Sequence, residues 1–365
     1  MKRIRVKLGQ RSYDIIIGHG TLNRLTRLLG AFSLSKVALV ITNPTIYRLY
    51  GEKLKTLLAH AGYEVYCEEV PDSEESKSFA VCTRLVARCA ELDGGRGIFI
   101  IALGGGVIGD LAGFCASIYH RGIPYVQIPT TLLAQVDSSI GGKVALDLAC
   151  GKNLVGSFYQ PLLVLSDIDF LASLEEKQIR NALAEIIKYG VIADRQLFCF
   201  LERSVDDILK RDRKKLQHIV EVCSRIKTRV VERDEYDNKG KRMTLNFGHT
   251  IGHALEAAYD YSAQLPHGFA IAIGMLVAGD IALRLGLVGE STLRRIETLI
   301  RKAGLPTQMS GVTIEKIIAA QAHDKKFNLG KNRFVLPVRI GKVIIKEGVA
   351  QKVIVNALHA RMQRV

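Results

Sequence analysis

The 365 residues contain no tryptophan, and aromatic side chains make up only 7% of them. Proteins that hold single-stranded nucleic acid stack bases on aromatic platforms beside a concentrated basic face. Neither is present. The basic residues behind the net charge of +15 are dispersed, with small clusters at the N-terminus and at residues 211–215 and 239–242. Nucleic acid is therefore not the expected partner, and the excess positive charge suits an anionic small molecule. The seven cysteines are scattered and include no Cys-x-x-Cys pair, an odd, unpatterned set. The chain opens on Met-Lys-Arg-Ile-Arg-Val-Lys with no apolar run behind it, which does not read as a signal peptide. The thiols then read as reduced and cytoplasmic. No stretch is expected to span a bilayer: the longest apolar run, residues 269–279, stops at Asp280 and reads as a buried helix.

What is present is a large apolar fraction, 48%, in a chain long enough for two domains. The opening residues alternate as a hairpin would. Residues 36–41 and 97–103 are continuous apolar runs of strand length, separated by helical stretches. Strand and helix in alternation imply a mostly parallel sheet covered on both faces. From about residue 174 the pattern becomes helix after helix. The expected architecture is an α/β, Rossmann-like dinucleotide-binding domain over residues 1–173. A largely helical metal- and substrate-binding domain over 174–365 follows, with the active site in the cleft between them.

Three motifs carry chemistry. The run 97–103 leads into Gly104-Gly-Gly-Val-Ile-Gly-Asp110, a G-x-G-x-x-G pattern between strand and helix. Such a turn lets a pyrophosphate approach backbone at a helix N-terminus. The acidic residue expected about twenty positions later is missing, so this is not a standard first Rossmann unit. Next come Pro129-Thr-Thr, Asp137-Ser-Ser-Ile-Gly-Gly-Lys143 and Gly151-Lys-Asn-Leu-Val-Gly156. Lys143 and Lys152 are cations in glycine-rich backbone, and Thr130 and Thr131 add hydroxyls, which suits an anion site. The third motif is Asn246-Phe-Gly-His-Thr-Ile-Gly-His253. His249 and His253 are one helical turn apart, with Asn246 expected on the same stripe. By themselves these are either ordinary histidines or part of a metal site. His267, at the mouth of the apolar run, adds a third imidazole, and Glu185 in Ala184-Glu-Ile-Ile-Lys188 adds a carboxylate in surroundings too apolar for a surface ion pair. Glu185, His249 and His267 would leave one coordination position open, as a catalytic zinc site does.

The Asp-Ser-Ser-Ile-Gly-Gly-Lys, Gly-Lys-Asn-Leu-Val-Gly and Asn-Phe-Gly-His-Thr-Ile-Gly-His motifs, in this order, resemble the 3-dehydroquinate synthase family of sugar phosphate cyclases, from about Asn43 to about Leu336. The resemblance implies that 3-deoxy-D-arabino-heptulosonate 7-phosphate becomes 3-dehydroquinate and phosphate, a step of the shikimate pathway toward aromatic amino acids. The implied sequence is oxidation by bound NAD, phosphate elimination, return of the hydride, and aldol closure. It implies NAD contacts at Asn43, Glu74, Lys77, Gly105, Gly106, Asp110, Thr130, Thr131, Asp137, Lys143, Lys152 and Ser173. A divalent metal, Zn2+ with Co2+ able to replace it, is implied on Glu185, His249 and His267. Substrate and catalytic roles fall on Lys143, Asn153, Asp137, Lys188, Lys227, Arg242, Asn246 and His253. Lys227 and Arg242 are the choice for the substrate carboxylate; Lys143, Asn153, Asn246, His253 and one of Lys325 or Lys326 surround the phosphate. Asp237 matches an acidic family residue beside a one-residue insertion. Arg121 matches an arginine lent to a neighbouring subunit, so a homodimer is implied. The chain departs from the family at Val144-Ala-Leu-Asp-Leu-Ala149, and at Phe269, where a glutamate that steadies its neighbours is common. Another sugar phosphate cyclase, or a metal-dependent polyol or glycerol-phosphate dehydrogenase of the same fold, is the alternative.

Overall fold

The two apolar runs form adjacent central strands of a seven-stranded sheet. Its strands are β1 (Lys2–Val6), β2 (Tyr13–Gly18), β3 (Val37–Thr42), β4 (Glu64–Glu69), β5 (Ile98–Gly104), β6 (Tyr125–Pro129) and, after a separate hairpin, β9 (Leu163–Asp167). That hairpin is β7 (Lys143–Leu148) with β8 (Gly151–Phe158). The sheet order is β1-β2-β9-β6-β5-β3-β4, antiparallel only at β1. Along β5, Ile98, Ile100 and Ala102 join one core with Leu85, Leu111 and Phe114. Phe99, Ile101 and Leu103 join the other, with Leu25 and Leu54. The period of two thus feeds two cores, which is why the run is apolar throughout. The covering helices are α1 (Leu25–Leu29), α2 (Pro44–Ile46), α3 (Glu52–His60), α4 (Phe79–Asp93) and α5 (Gly106–Ile118).

The computed structural model describes residues 1–149, 151–261, 264–322 and 332–363. They gather into two units, Met1–Leu174 with Leu216–Tyr236, and Glu175–Lys215 with Asp237–Val365. The chain changes unit at residue 174, next to the break in sequence pattern. The division is not a single cut, however. Most of α8 (Arg213–Arg233) gathers with the N-terminal unit. Lys227 pairs with Asp137, Lys7 N donates to Glu232, and Arg11 pairs with Glu235. Polar tethers of this kind have no signature in hydropathy, so the sequence pattern placed α8 with the helices.

The second unit holds α6 (Glu176–Ile192), α7 (Arg195–Leu209), α9 (His249–Ala258), α10 (His267–Arg284), α11 (Glu290–Lys302), α12 (Ile314–Ala322) and α13 (Gln351–His359), with the hairpin of β10 (Arg333–Arg339) and β11 (Lys342–Glu347). The helix α13 was not expected from the pattern. Arg361, just beyond it, is anchored by Asp280 and Glu297. The expectation that no stretch could span a bilayer needs correction. Among the described residues α10 is long and apolar enough by length and composition, but 78% of it is buried. It is apolar all round because neighbours surround it. Glycines let those neighbours close in. A Cβ on Gly274 would stand 2.0 Å from Gly248 O, and one on Gly268 2.0 Å from Asn181 O.

Candidate metal and nucleotide sites

The metal candidate forms where α6, α9 and α10 meet. Gly268 N donates to Asn181 Oδ1 at 2.7 Å, fixing the first turn of α10 against α6. That contact sets His267 beside Glu185, one turn along α6 from Asn181. The Gly248–Gly274 approach brings the start of α9, and so His249, to the same place. His249 Nε2 lies 3.4 Å and His267 Nε2 3.5 Å from the same oxygen, Glu185 Oε1. The three donor atoms fall within 4.8 Å of one another. Glu185 is fully buried, and Lys188 forms an ion pair with it one helical turn on. Each imidazole has its other nitrogen engaged: His249 Nδ1 is 3.2 Å from Phe247 O, and His267 Nδ1 is 3.3 Å from Glu256 Oε2. Burial works against charge on His267, but Glu185 and Glu256 outweigh it and push the imidazolium up to about 10. Two carboxylates therefore favour positive charge here. One carboxylate and two nitrogens converging within 4.8 Å of one another fit a divalent metal.

The sequence reading put Asn246 on the stripe of His249 and His253. The structure corrects this. α9 begins at His249; Asn246 ends a separate short turn, Arg242–Asn246, and Phe247 (ψ 124°) and Gly248 (φ 82°) break the path. Gly248 can take that left-handed conformation cheaply and is held against Gly274. His253 is exposed, with its ring centroid 5.2 Å from that of His249 and 6.1 Å from that of His267. Arg242 is buried at 3% exposure, in the turn that leads to the histidines. Asp237, just upstream, has a left-handed backbone at φ 55°. Lys325 and Lys326 lie outside the described residues.

In the first unit several of the residues expected to contact a nucleotide meet on Lys77. Its ammonium lies 3.0 Å from Asp110 Oδ2, 3.2 Å from Glu74 Oε1 and 2.5 Å from Asn153 Oδ1, and the side chain is 3% exposed. Burial works against the charge, yet Asp110 and Glu74 raise the lysine's pKa. Asp110 responds the other way: burial pushes its carboxyl up to about 6, with Lys77 pulling it only part of the way back. Gly105 caps α5 and Gly106 starts it. Neither has a positive φ, so they are not needed for an unusual backbone. Their value is room: a Cβ on Gly105 would stand 3.1 Å from the Thr131 methyl, and one on Gly106 3.2 Å from Ser138 Oγ. Thr130 is buried, and Thr131 Oγ1 accepts from Ala134 N. Asn43 caps α2 through Ile46 N, and Ser173 Oγ meets Tyr50 OH at 2.8 Å. Arg121 is exposed with φ 65°, in a turn where Tyr119 and His120 both reach Asp93.

Lys143 and Lys152 stand on the β7–β8 hairpin. Lys143 is exposed, over the ring of Phe158 at 5.8 Å, and Lys152 is half-buried. The departure at residues 144–149 packs this hairpin. Val144 and Leu146 enter the core below α5, and Asp147 N donates to Lys77 O at 2.7 Å. Two functional candidates escaped the sequence reading. Asp147 was hidden because its partner Lys77 lies seventy residues away. Glu256 follows His249 by seven and His253 by three, a helical spacing that was available as a signal.

Comparison with known proteins is consistent with this geometry. The family model described as 3-dehydroquinate synthase N-terminal matches residues 67–181, and that described as 3-dehydroquinate synthase C-terminal matches 182–327. The chain is similar to a 3-dehydroquinate synthase of Pelotomaculum thermopropionicum, 47% identical over 99% of this chain and 97% of the relative. Among solved structures it resembles a 2-epi-5-epi-valiolone synthase of Streptomyces hygroscopicus with NAD+ and Zn2+ bound. The TM-score is 0.87 at 28% identity, covering 97% of this chain and 98% of the other. It also resembles a 2-deoxy-scyllo-inosose synthase complexed with carbaglucose-6-phosphate, NAD+ and Co2+, with TM-score 0.88 at 26% identity, covering 99% and 100%.

Proposed function

The chain belongs to the 3-dehydroquinate synthase family, and we propose that it eliminates phosphate from 3-deoxy-D-arabino-heptulosonate 7-phosphate and closes the ring to 3-dehydroquinate. The observation that carries the reading is the convergence of His249 and His267 on one oxygen of buried Glu185. This donor set suits Zn2+, with Co2+ as a substitute. In the first unit Lys77, Glu74, Asp110, Gly105 and Gly106, with Asn43, Thr130, Thr131, Asp137, Lys143, Lys152 and Ser173, are proposed to hold NAD. When bound, NAD would supply reversible hydride transfer within one turnover, and the metal would supply Lewis acidity toward the substrate oxygens.

The protein's own groups have distinct tasks. Arg242 offers a planar, always-charged fork to the substrate carboxylate, and Lys227 a point charge. Lys143, Asn153, Asn246 and His253 are proposed to hold the phosphate as it departs. Lys188 pairs with the Glu185 carboxylate and is proposed to hold it in place for its role as a ligand. The reaction class is that of a carbon–oxygen lyase of the shikimate pathway, in the cytoplasm. Two copies are proposed to associate, each Arg121 serving the partner's site.

The test is phosphate release by purified protein supplied with NAD and Zn2+, with nicotinamide absorbance followed alongside. Phosphate should appear from the heptulosonate phosphate with no net NADH. A non-leaving phosphonate analogue should trap at most one equivalent of bound NADH. NADH growing in proportion to substrate consumed would make the protein a dehydrogenase. Phosphate release from another sugar phosphate alone would make it a different cyclase.

A further inference from the structure

His267 presents its two ring nitrogens to two different carboxylates. Nε2 lies 3.5 Å from Glu185 Oε1, and Nδ1 lies 3.3 Å from Glu256 Oε2. Both carboxylates are sheltered, with side-chain exposures of 1% and 10%. A neutral imidazole has one protonated nitrogen and one lone pair, and only the lone pair can serve a metal. Which nitrogen is bare is decided by what the other one meets. A metal ion would displace one proton of the imidazolium; the carboxylate at Nδ1 keeps the hydrogen on that nitrogen, so the lone pair would be left on Nε2, beside Glu185. The phenyl ring of Phe269, two residues from His267, offers no polar atom for this task.

Glu256 is well placed for the task because of its helix. It follows His249 by seven residues on α9, so both lie on one face, directed at α10. For His249 the corresponding anchor is main chain: Nδ1 lies 3.2 Å from Phe247 O. Each histidine of the set therefore has one nitrogen turned to the site and the other engaged nearby.

We propose that Glu256 is a positioning residue of the metal centre, fixing the tautomer and ring orientation of His267 so that Nε2 is offered beside Glu185. The inference rests on Glu185, His249 and His267 being the metal ligands. The competing arrangement is a second cation on the far side of the ring, since His253, Glu256 and His267 also bring donor atoms within 4.8 Å. The positioning role has the stronger geometry: His253 is exposed, whereas Glu256 is buried against the one nitrogen that the Glu185 side leaves over.

The experiment uses metal-free full-length protein as wild type, Glu256→Gln and Glu256→Ala. Each is titrated with Co2+, read by its visible ligand-field absorption, and with Zn2+ in competition with a chromophoric chelator. Wild type should bind one ion per chain. Glu256→Ala should bind roughly 10–100-fold more weakly, the range found when a carboxylate behind a ligand histidine is removed. Its Co2+ band should shift as well. Glu256→Gln should fall between the two, because its carbonyl can still accept from Nδ1–H. The metal-free proteins should melt alike, which separates positioning from a folding defect. Should the alanine variant fail to fold, the glutamine variant carries the same readouts. Wild-type affinity and spectrum in the folded variants would overturn the inference, as would two ions per wild-type chain. A wild-type chain that binds no ion would overturn it together with the ligand assignment beneath it.

Discussion

Lys227 Nζ lies 2.6 Å from Asp137 Oδ1 and 2.8 Å from the same residue's main-chain oxygen. The two residues are ninety positions apart, and the pair ties α8 to the turn that follows β6. It also means that the lysine proposed for the substrate carboxylate is held in place by a carboxylate of the protein. A substrate anion would then meet an ammonium already oriented, with no rotamer search left to make.

Lys227→Ala should accordingly cost both activity and stability. Removing a charged hydrogen bond costs about 1.5–3 kcal/mol, or roughly 10–150-fold in kcat/KM. Arg242→Ala should cost a similar amount. Both losses should shrink toward a substrate analogue that lacks the carboxylate. Equal losses on both substrates would remove these residues from that role. The denaturation midpoint of Lys227→Ala should also drop, because α8 then loses its tie to Asp137.

Replacing a metal ligand should do more than replacing its support. Glu185→Ala and His267→Ala should each lower bound metal and activity together, by more than the ~10–100-fold expected for a supporting residue. Metal analysis of the purified proteins checks this. Full occupancy in either variant would show that the ligand set is misassigned.

Gly274→Ala tests the packing that assembles the site. The added Cβ would stand 2.0 Å from Gly248 O, a main-chain atom that cannot swing aside. Separation of α9 from α10 should cost about 1–3 kcal/mol as overpacking and weaken metal binding, although no ligand is touched. A variant with unchanged melting temperature and metal affinity would mean that α9 and α10 are less tightly fixed than their glycines imply.

Asp110 gives stability a pH dependence. Burial raises its carboxyl to about 6 in the folded protein, against about 4 in the unfolded chain. A carboxyl whose pKa is higher when folded favours folding in its protonated form. Its contribution is full below pH ~4 and is lost as the pH rises through about 6. Asp110→Asn stays neutral throughout. Its stability relative to wild type, without nucleotide, should therefore grow between pH 4 and pH 7 in denaturant titrations. A difference independent of pH would contradict the raised pKa.

Much of this protein was legible in order along the chain. The apolar runs of β3 and β5, the glycine turn into α5 and the late succession of helices are local patterns, and local patterns survive reading without coordinates. His249 and Glu185 could be singled out because each sits in a motif of unusual composition. The hairpin of β7 and β8 was harder, since β7 buries three residues in succession and β8 is half-buried, so neither alternates cleanly.

Only the tertiary structure decided how those pieces combine. The break at Phe247 and Gly248 took Asn246 off the histidine helix, because Gly248 must pack against Gly274, a residue of another helix. The gathering of α8 with the first unit depends on Lys227 finding Asp137. The support of His267 falls to Glu256, as neighbouring Phe269 has no polar atom to offer. The sequence by itself determined which side chains could do chemistry and on which elements they ride. Which of them meet was set by helix-to-helix distances of a few ångströms. Those distances are fixed by glycines facing backbone and by buried charges seeking partners, and neither leaves a periodic trace in the chain.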